Sequence, residues 1–189
     1  MESVVFEEPQ SPIRLRTIRE DDAEAIMDWV NDPEITRNFA AFSKKITVEE
    51  ERAFLRSMLA SDTDRLFAIE PAGGGPLIGT AGIHRIYWPA RNGRIGLMIG
   101  KQDLQGRGLG QATMRALVAF GFAKLALHKI WLVHYADNHR MKHIAGKLGF
   151  EVEGLLRDEY FHAGVYHDMV RHAQLEPDWR QRQLEAARS

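Results

Sequence analysis

The chain has 189 residues, of which 44% are hydrophobic and 27% charged, the balance of a soluble globular protein with length for one sizeable core. Its 25 Lys and Arg stand against 26 Asp and Glu, a net charge of -1 that argues against a generic nucleic-acid binder and gives no global steering towards polyamines. There is no cysteine, which excludes disulfides, thiolate metal sites and a cysteine nucleophile, and no apolar run approaches membrane-spanning length.

The acidic start Met1-Glu2-Ser3 is not that of a signal peptide, so a cytoplasmic location is expected. Residues 1–12, punctuated by Pro9 and Pro12, read as a loose lead-in; Ile13-Arg14-Leu15-Arg16-Thr17 then alternates as a first strand does. Glu20-Asp21-Asp22 supplies the acidic start of a helix over 23–30, apolar at Ile26, Met27, Trp29 and Val30. Asn31-Asp32-Pro33 breaks it, a short helical turn follows, and residues 38–46 read as a loop containing Phe39 and Phe42. Thr47 and Glu50 form a capping box for a helix over 48–59, expected to bury Phe54, Leu55, Met58 and Leu59. Residues 65–70 and 76–88 make an antiparallel hairpin across Gly73-Gly74-Gly75, and a turn at 89–93 leads to a short strand over 95–100. Glycine inside a strand marks a close approach to the main chain, so Gly96 and Gly100 are read as the place where a ligand lies.

Downstream, 129–136 is a buried strand, parallel to 95–100 because a helix joins them. A helix over 138–148 ends at Gly149, and 150–161 with 165–174 close a final hairpin across Ala163-Gly164. This predicts one domain over 13–175, between the lead-in and a polar, peripheral tail at 176–189 with helical character.

Gln105-Gly106-Arg107-Gly108-Leu109-Gly110-Gln111 lies between the 95–100 strand and a helix over 112–125, whose Ala112, Ala116, Leu117, Ala119, Phe120 and Ala123 recur at helical spacing. Strand, glycine loop and helix present unpaired backbone N–H groups to an anion, and Arg107 adds a cation. The loop lacks Gly-Lys-Ser/Thr, which excludes the nucleoside triphosphate loop, and it fails the dinucleotide fingerprint because the third glycine would fall on Gln111 or Thr113. What remains, Gln-x-x-Gly-x-Gly, resembles the pyrophosphate-binding signature of the GCN5-related N-acetyltransferases, the GNAT superfamily. Asn138 followed by Lys147-Leu148-Gly149-Phe150 is similar to a second segment of that family, at the same interval. Glu153-Gly154-Leu155-Leu156-Arg157, then Gly164 and Asp168, resembles the subgroup that acetylates ribosomal-protein N-termini and its polyamine and aminoglycoside relatives.

The resemblance implies the acyl-CoA N-acyltransferase fold, an α/β (α+β) architecture. Its mixed, mostly antiparallel twisted sheet has a central parallel strand pair splayed around the cofactor and is flanked by helices. It implies acetyl-CoA as cosubstrate and no metal. The pyrophosphate would lie on the loop from Gln105 through Gly106, Arg107, Gly108, Leu109 and Gly110 to Gln111. The pantetheine arm would pair with the main chain of Met98, Ile99 and Gly100, Asn138 would bond the same arm, and Lys142 or Lys147 would lie near the adenosine phosphates. The expected reaction is direct acetyl transfer to a primary amine of a small molecule or a protein N-terminus, with a homodimer through the final hairpin.

The family's usual acid and base positions are altered: they hold Arg94, Val133, Met141 and Ala145 here. That motivates an alternative, a catalytically silent acetyl-CoA-binding sensor or assembly module; a third reading, an unrelated phosphate-binding domain, predicts no acetyl-CoA affinity. Three substitutes follow from strand position. His84 neighbours the cofactor strand and titrates near neutrality, so it is a candidate base. Tyr135, on the same strand face as Val133, is a candidate donor to the thiolate. Glu159 on the final hairpin is a second candidate base, and proximity alone, with water taking the proton, is the remaining possibility. His139 and His143 have helical metal-ligand spacing but no third ligand, and read as solvated surface. Phe39, Phe42, Tyr87 and Trp88 border the acceptor side of the resembling fold.

Overall fold

The structure, a computed structural model, describes residues 5–7, 10–36, 45–162 and 164–188; Phe39, Phe42 and Ala163 lie outside the described residues. Eight strands form one sheet: β1 (Val5–Phe6), β2 (Ile13–Thr17), β3 (Arg65–Pro71), β4 (Gly79–Tyr87), β5 (Asn92–Ile99), β6 (Lys129–Tyr135), β7 (Glu151–His162) and β8 (Val165–Leu175). Their spatial order is β1-β2-β3-β4-β5-β6-β8-β7, and every neighbouring pair is antiparallel except β5 with β6. That pair is joined only at Asn92↔Lys129, Gly93↔Ile130 and Arg94↔Trp131. Beyond Arg94 the two strands part, and the far half of β5 has β4 on one edge and, among the described residues, no strand on the other.

Among the described residues six α-helices cover the sheet: α1 (Ala23–Val30), α2 (Pro33–Thr36), α3 (Val48–Leu59), α4 (Leu109–Ala123), α5 (His139–Lys147) and α6 (Glu176–Ala186). Strand alternation feeds two cores. On one face Phe67, Ile69, Ile83, Ile95 and Ile130 pack with Leu117 and Phe120 of α4. On the other, Ala68 and Met98 pack with Ile26, Trp29 and Val30 of α1 and with Leu55 of α3. Among the described residues no helix is long and apolar enough to cross a membrane.

Several local expectations change in three dimensions. The capping box is present, with Thr47 Oγ1 accepting from Glu50 N–H at 3.2 Å and Glu50 returning the bond to Thr47 N–H at 2.9 Å. The inward stripe of α3, however, is Glu51 and Leu55 at i,i+4, while Phe54 and Leu59 are 46% and 45% exposed. The lead-in is not wholly loose, because β1 pairs with β2 and Phe6 packs edge-on against Phe120. Nor does the tail stand off: it forms α6, Trp179 meets Phe122 at 5.4 Å, and Arg182 lies over Gly149. Beneath α1, the buried Arg16 guanidinium bonds both Asp22 oxygens, at 2.7 and 2.6 Å, and Glu70 at 2.6 Å; Arg14 reaches the other Glu70 oxygen. This ion network ties β2 to β3 and to the start of α1.

Candidate active site

The anion cradle is built by backbone conformation. Gly106 and Gly108 have φ of +82° and +81°, the left-handed region in which glycine carries no Cβ penalty. Helix α4 starts at Leu109, three residues earlier than its apolar periodicity suggests. Its first described bond, Ala112 N–H to Gly108 O at 3.0 Å, leaves the N–H groups of Leu109, Gly110 and Gln111 outside the helical ladder. These donors, at the positive end of a 15-residue helix, fit a pyrophosphate. The loop is exposed from Gln105 to Gly108, so an anion reaches it without rearrangement.

The free edge of β5 is the second element. Gly100 N–H donates to Ile78 O at 2.8 Å, and Met98 pairs with Thr80. By alternation the polar groups of Met98 and Gly100 face β4, whereas Leu97 and Ile99 present theirs to the edge that β6 leaves open. Of the expected main-chain set Met98, Ile99 and Gly100, Ile99 therefore faces the open edge, with Leu97 beside it, while Met98 and Gly100 turn to β4. Gly100 is also glycine for a different reason than close ligand approach: a Cβ there would sit 2.1 Å from the Trp29 ring. At Gly96 an added Cβ meets nothing, and this glycine does line open space.

That space is a pocket of about 470 Å³ on the α1–α3 face. Its floor is Thr80, Gly82 and His84 of β4 with Arg94, Gly96 and Met98 of β5; its roof is α1 and α3. In the floor His84 Nδ1 lies 3.0 Å from Asp64 Oδ1. Ser61 and Thr63 hydroxyls donate to Asp64 Oδ2 at 2.7 and 3.1 Å, and Arg85 N–H donates to Oδ1 at 3.3 Å. Burial pushes the Asp64 carboxyl up, but these donors and His84 outweigh it and hold it below the usual carboxylate range. An ionised Asp64 places the ring proton on His84 Nδ1 and the lone pair on Nε2. Burial lowers the His84 pKa below 6.5, Asp64 opposes that, and Arg94 and Arg85 lower it further. The ring is therefore neutral at pH 7. It lies across Gly82, where a Cβ would fall 2.4 Å from Nε2, so a side chain at that position would displace the imidazole.

The other predicted residues separate. Tyr135 shares its sheet face with Arg94, through the Arg94↔Trp131 pairing and the i,i+4 step along β6. It is 7% exposed, its hydroxyl has no partner among the described residues, and its ring meets His167 at 5.0 Å and Tyr160 at 6.5 Å. Burial, then Tyr160 and Asp137, raise its pKa, so it is protonated at neutrality. Glu159 stands exposed on β7, the edge strand, and does not line the pocket; it falls in a register shift between Leu156 and Tyr160, where Asp158 N–H bonds Asp168. Asn138 caps α5 through Oδ1, which accepts from Met141 N–H at 3.0 Å, so only its amide N–H2 remains for a ligand. Lys142 and Lys147 border an open hollow on α5 with His139 and His143, and all four are exposed. Among the described residues no group of three or more His, Asp or Glu is arranged to hold a metal ion.

Sequence reasoning missed Asp64 and Glu51. Asp64 was legible in principle: the hairpin centred on Gly74 pairs Arg65 with Ile83 and so sets Asp64 beside His84. Glu51 shares the inward stripe with Leu55, but a carboxylate at that position gives no sign of the cavity it faces.

Comparison with known proteins agrees with this geometry. The family model of the acetyltransferase (GNAT) domain matches residues 13–151. The chain is 26% identical over 159 residues to spermidine N(1)-acetyltransferase of Escherichia coli K12, spanning 84% of this chain and 83% of that one. It is 28% identical over 157 residues to the uncharacterized N-acetyltransferase YoaA of Bacillus subtilis, spanning 82% and 88%. It is 29% identical over 105 residues to the putative ribosomal N-acetyltransferase YdaF of the same organism, spanning 56% and 57%. In fold it resembles Vibrio cholerae spermidine N-acetyltransferase, crystallised with CoA and spermine, at a TM-score of 0.83 and 24% identity over 90% of this chain and 99% of that one. With its splayed parallel pair, left-handed glycine loop and matched domain, the chain belongs to the GNAT family and is an N-acetyltransferase with acetyl-CoA as its cosubstrate.

Proposed function

We infer that the chain acetylates a primary amine of a small molecule or a protein N-terminus, that the amine occupies the pocket beneath α1 and α3, and that His84 is the general base. The observation that carries this is the His84–Asp64 pair, set in the wall of a pocket that adjoins the free edge of β5. Acetyl-CoA supplies a thioester carbonyl, and the residues of the chain supply the rest. The N–H groups from Leu109 to Gln111 hold the pyrophosphate, Leu97 and Ile99 hold the pantetheine arm, and the Asn138 amide donates to the same arm. An ammonium has no lone pair, so the acceptor must lose a proton before attack; His84 Nε2 takes it, and Asp64 stabilises the imidazolium. The main-chain N–H of Leu97, fixed in the strand, is oriented to receive the developing negative charge on the carbonyl oxygen. Tyr135, protonated at neutrality and with no hydroxyl partner among the described residues, is the candidate donor to the departing thiolate. Exposed Phe161 and Tyr166 on the final hairpin support its use in a homodimer.

The test is free-thiol release from acetyl-CoA across aminosugars, polyamines, aminoglycosides, simple amines and N-terminal peptides, with His84→Gln alongside. Turnover that falls about a hundredfold in the variant, within the range for general-base catalysis, is expected. Tight acetyl-CoA binding with no turnover on any amine would instead make the chain a silent sensor.

A further inference from the structure

Glu51 is the buried carboxylate of the pocket, and the chemistry above leaves it unused. It enters from α3 among Ile26, Trp29, Val30, Phe54 and Leu55, and it is 6% exposed. Among the described residues its carboxylate has no hydrogen-bond or ion-pair partner, and burial alone raises its pKa. A carboxyl kept in apolar surroundings with nothing to bond is destabilising, and a leucine would suit the same helical position, one turn before Leu55. The other unpaired ionic group of the lining is Arg94, half-buried in the floor, with Arg85 as its only described charged neighbour.

We propose that Glu51 selects the acceptor, its carboxylate accepting an N–H from an amine that carries one positive charge on an apolar body, the class of alkyl- and arylalkylamines. The proposal rests on the pocket being the acceptor site. One carboxylate answers one ammonium, and the walls around Trp29 and Phe54 take up the hydrocarbon. A polyamine would bring further ammonium groups into a chamber that holds the Arg94 cation; the second carboxylate of the lining, Glu50, stands exposed at the rim and is engaged by Thr47 N–H. Each added charge would be desolvated without a partner. The chain thus differs in acceptor class from the relatives named for spermidine. Glu51 acts by binding and orienting; the proton still goes to His84.

The experiment is calorimetric titration of the CoA-saturated protein with phenethylamine and with spermidine, in the wild type and in Glu51→Gln, with thiol-release kinetics on the same samples. The wild type should bind phenethylamine more tightly than spermidine. Glu51→Gln should weaken phenethylamine about ten- to a hundredfold, the range for a charge-assisted hydrogen bond. That loss should appear in KM with kcat much less affected, and acetyl-CoA affinity should be unchanged, which checks the fold. Equal phenethylamine affinity in the variant, tighter wild-type binding of spermidine, or binding of neither amine overturns the proposal. Glu51-dependent binding without thiol release would remove the transferase reading and leave the Glu51 assignment standing. Turnover that ignores Glu51 would do the reverse.

Discussion

Asp64→Asn isolates the part of the mechanism that has the most geometry behind it. The substitution keeps the size of the side chain and removes the charge 3.0 Å from His84 Nδ1. A hydrogen bond to a charged group contributes about 1.5–3 kcal/mol and a neutral one about 0.5–1.5. The variant therefore loses about 1–2 kcal/mol of imidazolium stabilisation, and kcat/KM should fall about five- to thirtyfold. Asn can also turn its amide N–H2 to Nδ1, which moves the ring proton to Nε2, takes the lone pair out of the pocket and drives the loss to the upper end. The pH profile gives the sign. His84 is active when neutral, so kcat/KM rises with pH through its pKa, which burial has already lowered below 6.5. Asp64 raises that pKa, so without it the acidic limb moves to lower pH while the plateau drops. Stopped measurement of thiol release between pH 5 and 9 at subsaturating amine reads both quantities. An acidic limb that stays in place in Asp64→Asn, and also in His84→Gln, would refute His84 as the base and leave water as the proton acceptor.

Three further substitutions test the scaffold. Gly108→Asp puts a carboxylate where the N–H groups of α4 converge; at a φ of +81° it costs about 1–2 kcal/mol of backbone strain, which Asp tolerates better than most residues, so the fold should survive while acetyl-CoA binding disappears by calorimetry. Unchanged CoA affinity would sink the cradle assignment. Gly100→Ala drives a Cβ to 2.1 Å from Trp29, an overpacking that costs about 1–3 kcal/mol or more, and Tm should drop by several degrees. A Tm equal to the wild type would mean that Trp29 has room to retreat. Glu70→Gln leaves the buried Arg16 with Asp22 alone and should cost about 3–5 kcal/mol in urea denaturation at pH 7. Burial raises the Glu70 pKa, but Arg16 and Arg14 outweigh it and hold the folded value below 4.5. Its stabilisation is accordingly complete above pH 4.5 and lost as pH falls through the folded value, so the variant should lack that part of the acid transition.

The cradle was legible because it is local. Gln105 to Gln111 encodes its φ angles and its helix start within seven residues, and no distant contact is needed to make N–H groups converge. The same holds for the Thr47–Glu50 capping box and for the Asn138 cap. His84 was nameable as a candidate from its strand, yet Glu159 was nameable on equal grounds, and only the placement of the strands, β4 in the pocket floor and β7 at the edge of the sheet, separates the two. Phe54 misled because apolar spacing on α3 does not reveal that it borders a cavity and not a packed sheet, and Leu59, at the end of the helix, is also exposed.

By itself the sequence determined the order of elements from β2 to β8 and the anion loop, which rest on short-range periodicity and turn chemistry, and its short motifs carried the resemblance to the family. Tertiary structure alone decided which main-chain groups of β5 face the open edge, because that depends on the partner strand at Ile78 and Thr80. It also decided that Gly100 answers to Trp29 and not to a ligand, and that Glu51 and His84 meet one pocket with Asp64 bonded to the imidazole. These are contacts between residues tens of positions apart, set by register and packing, and no local preference of the chain encodes them.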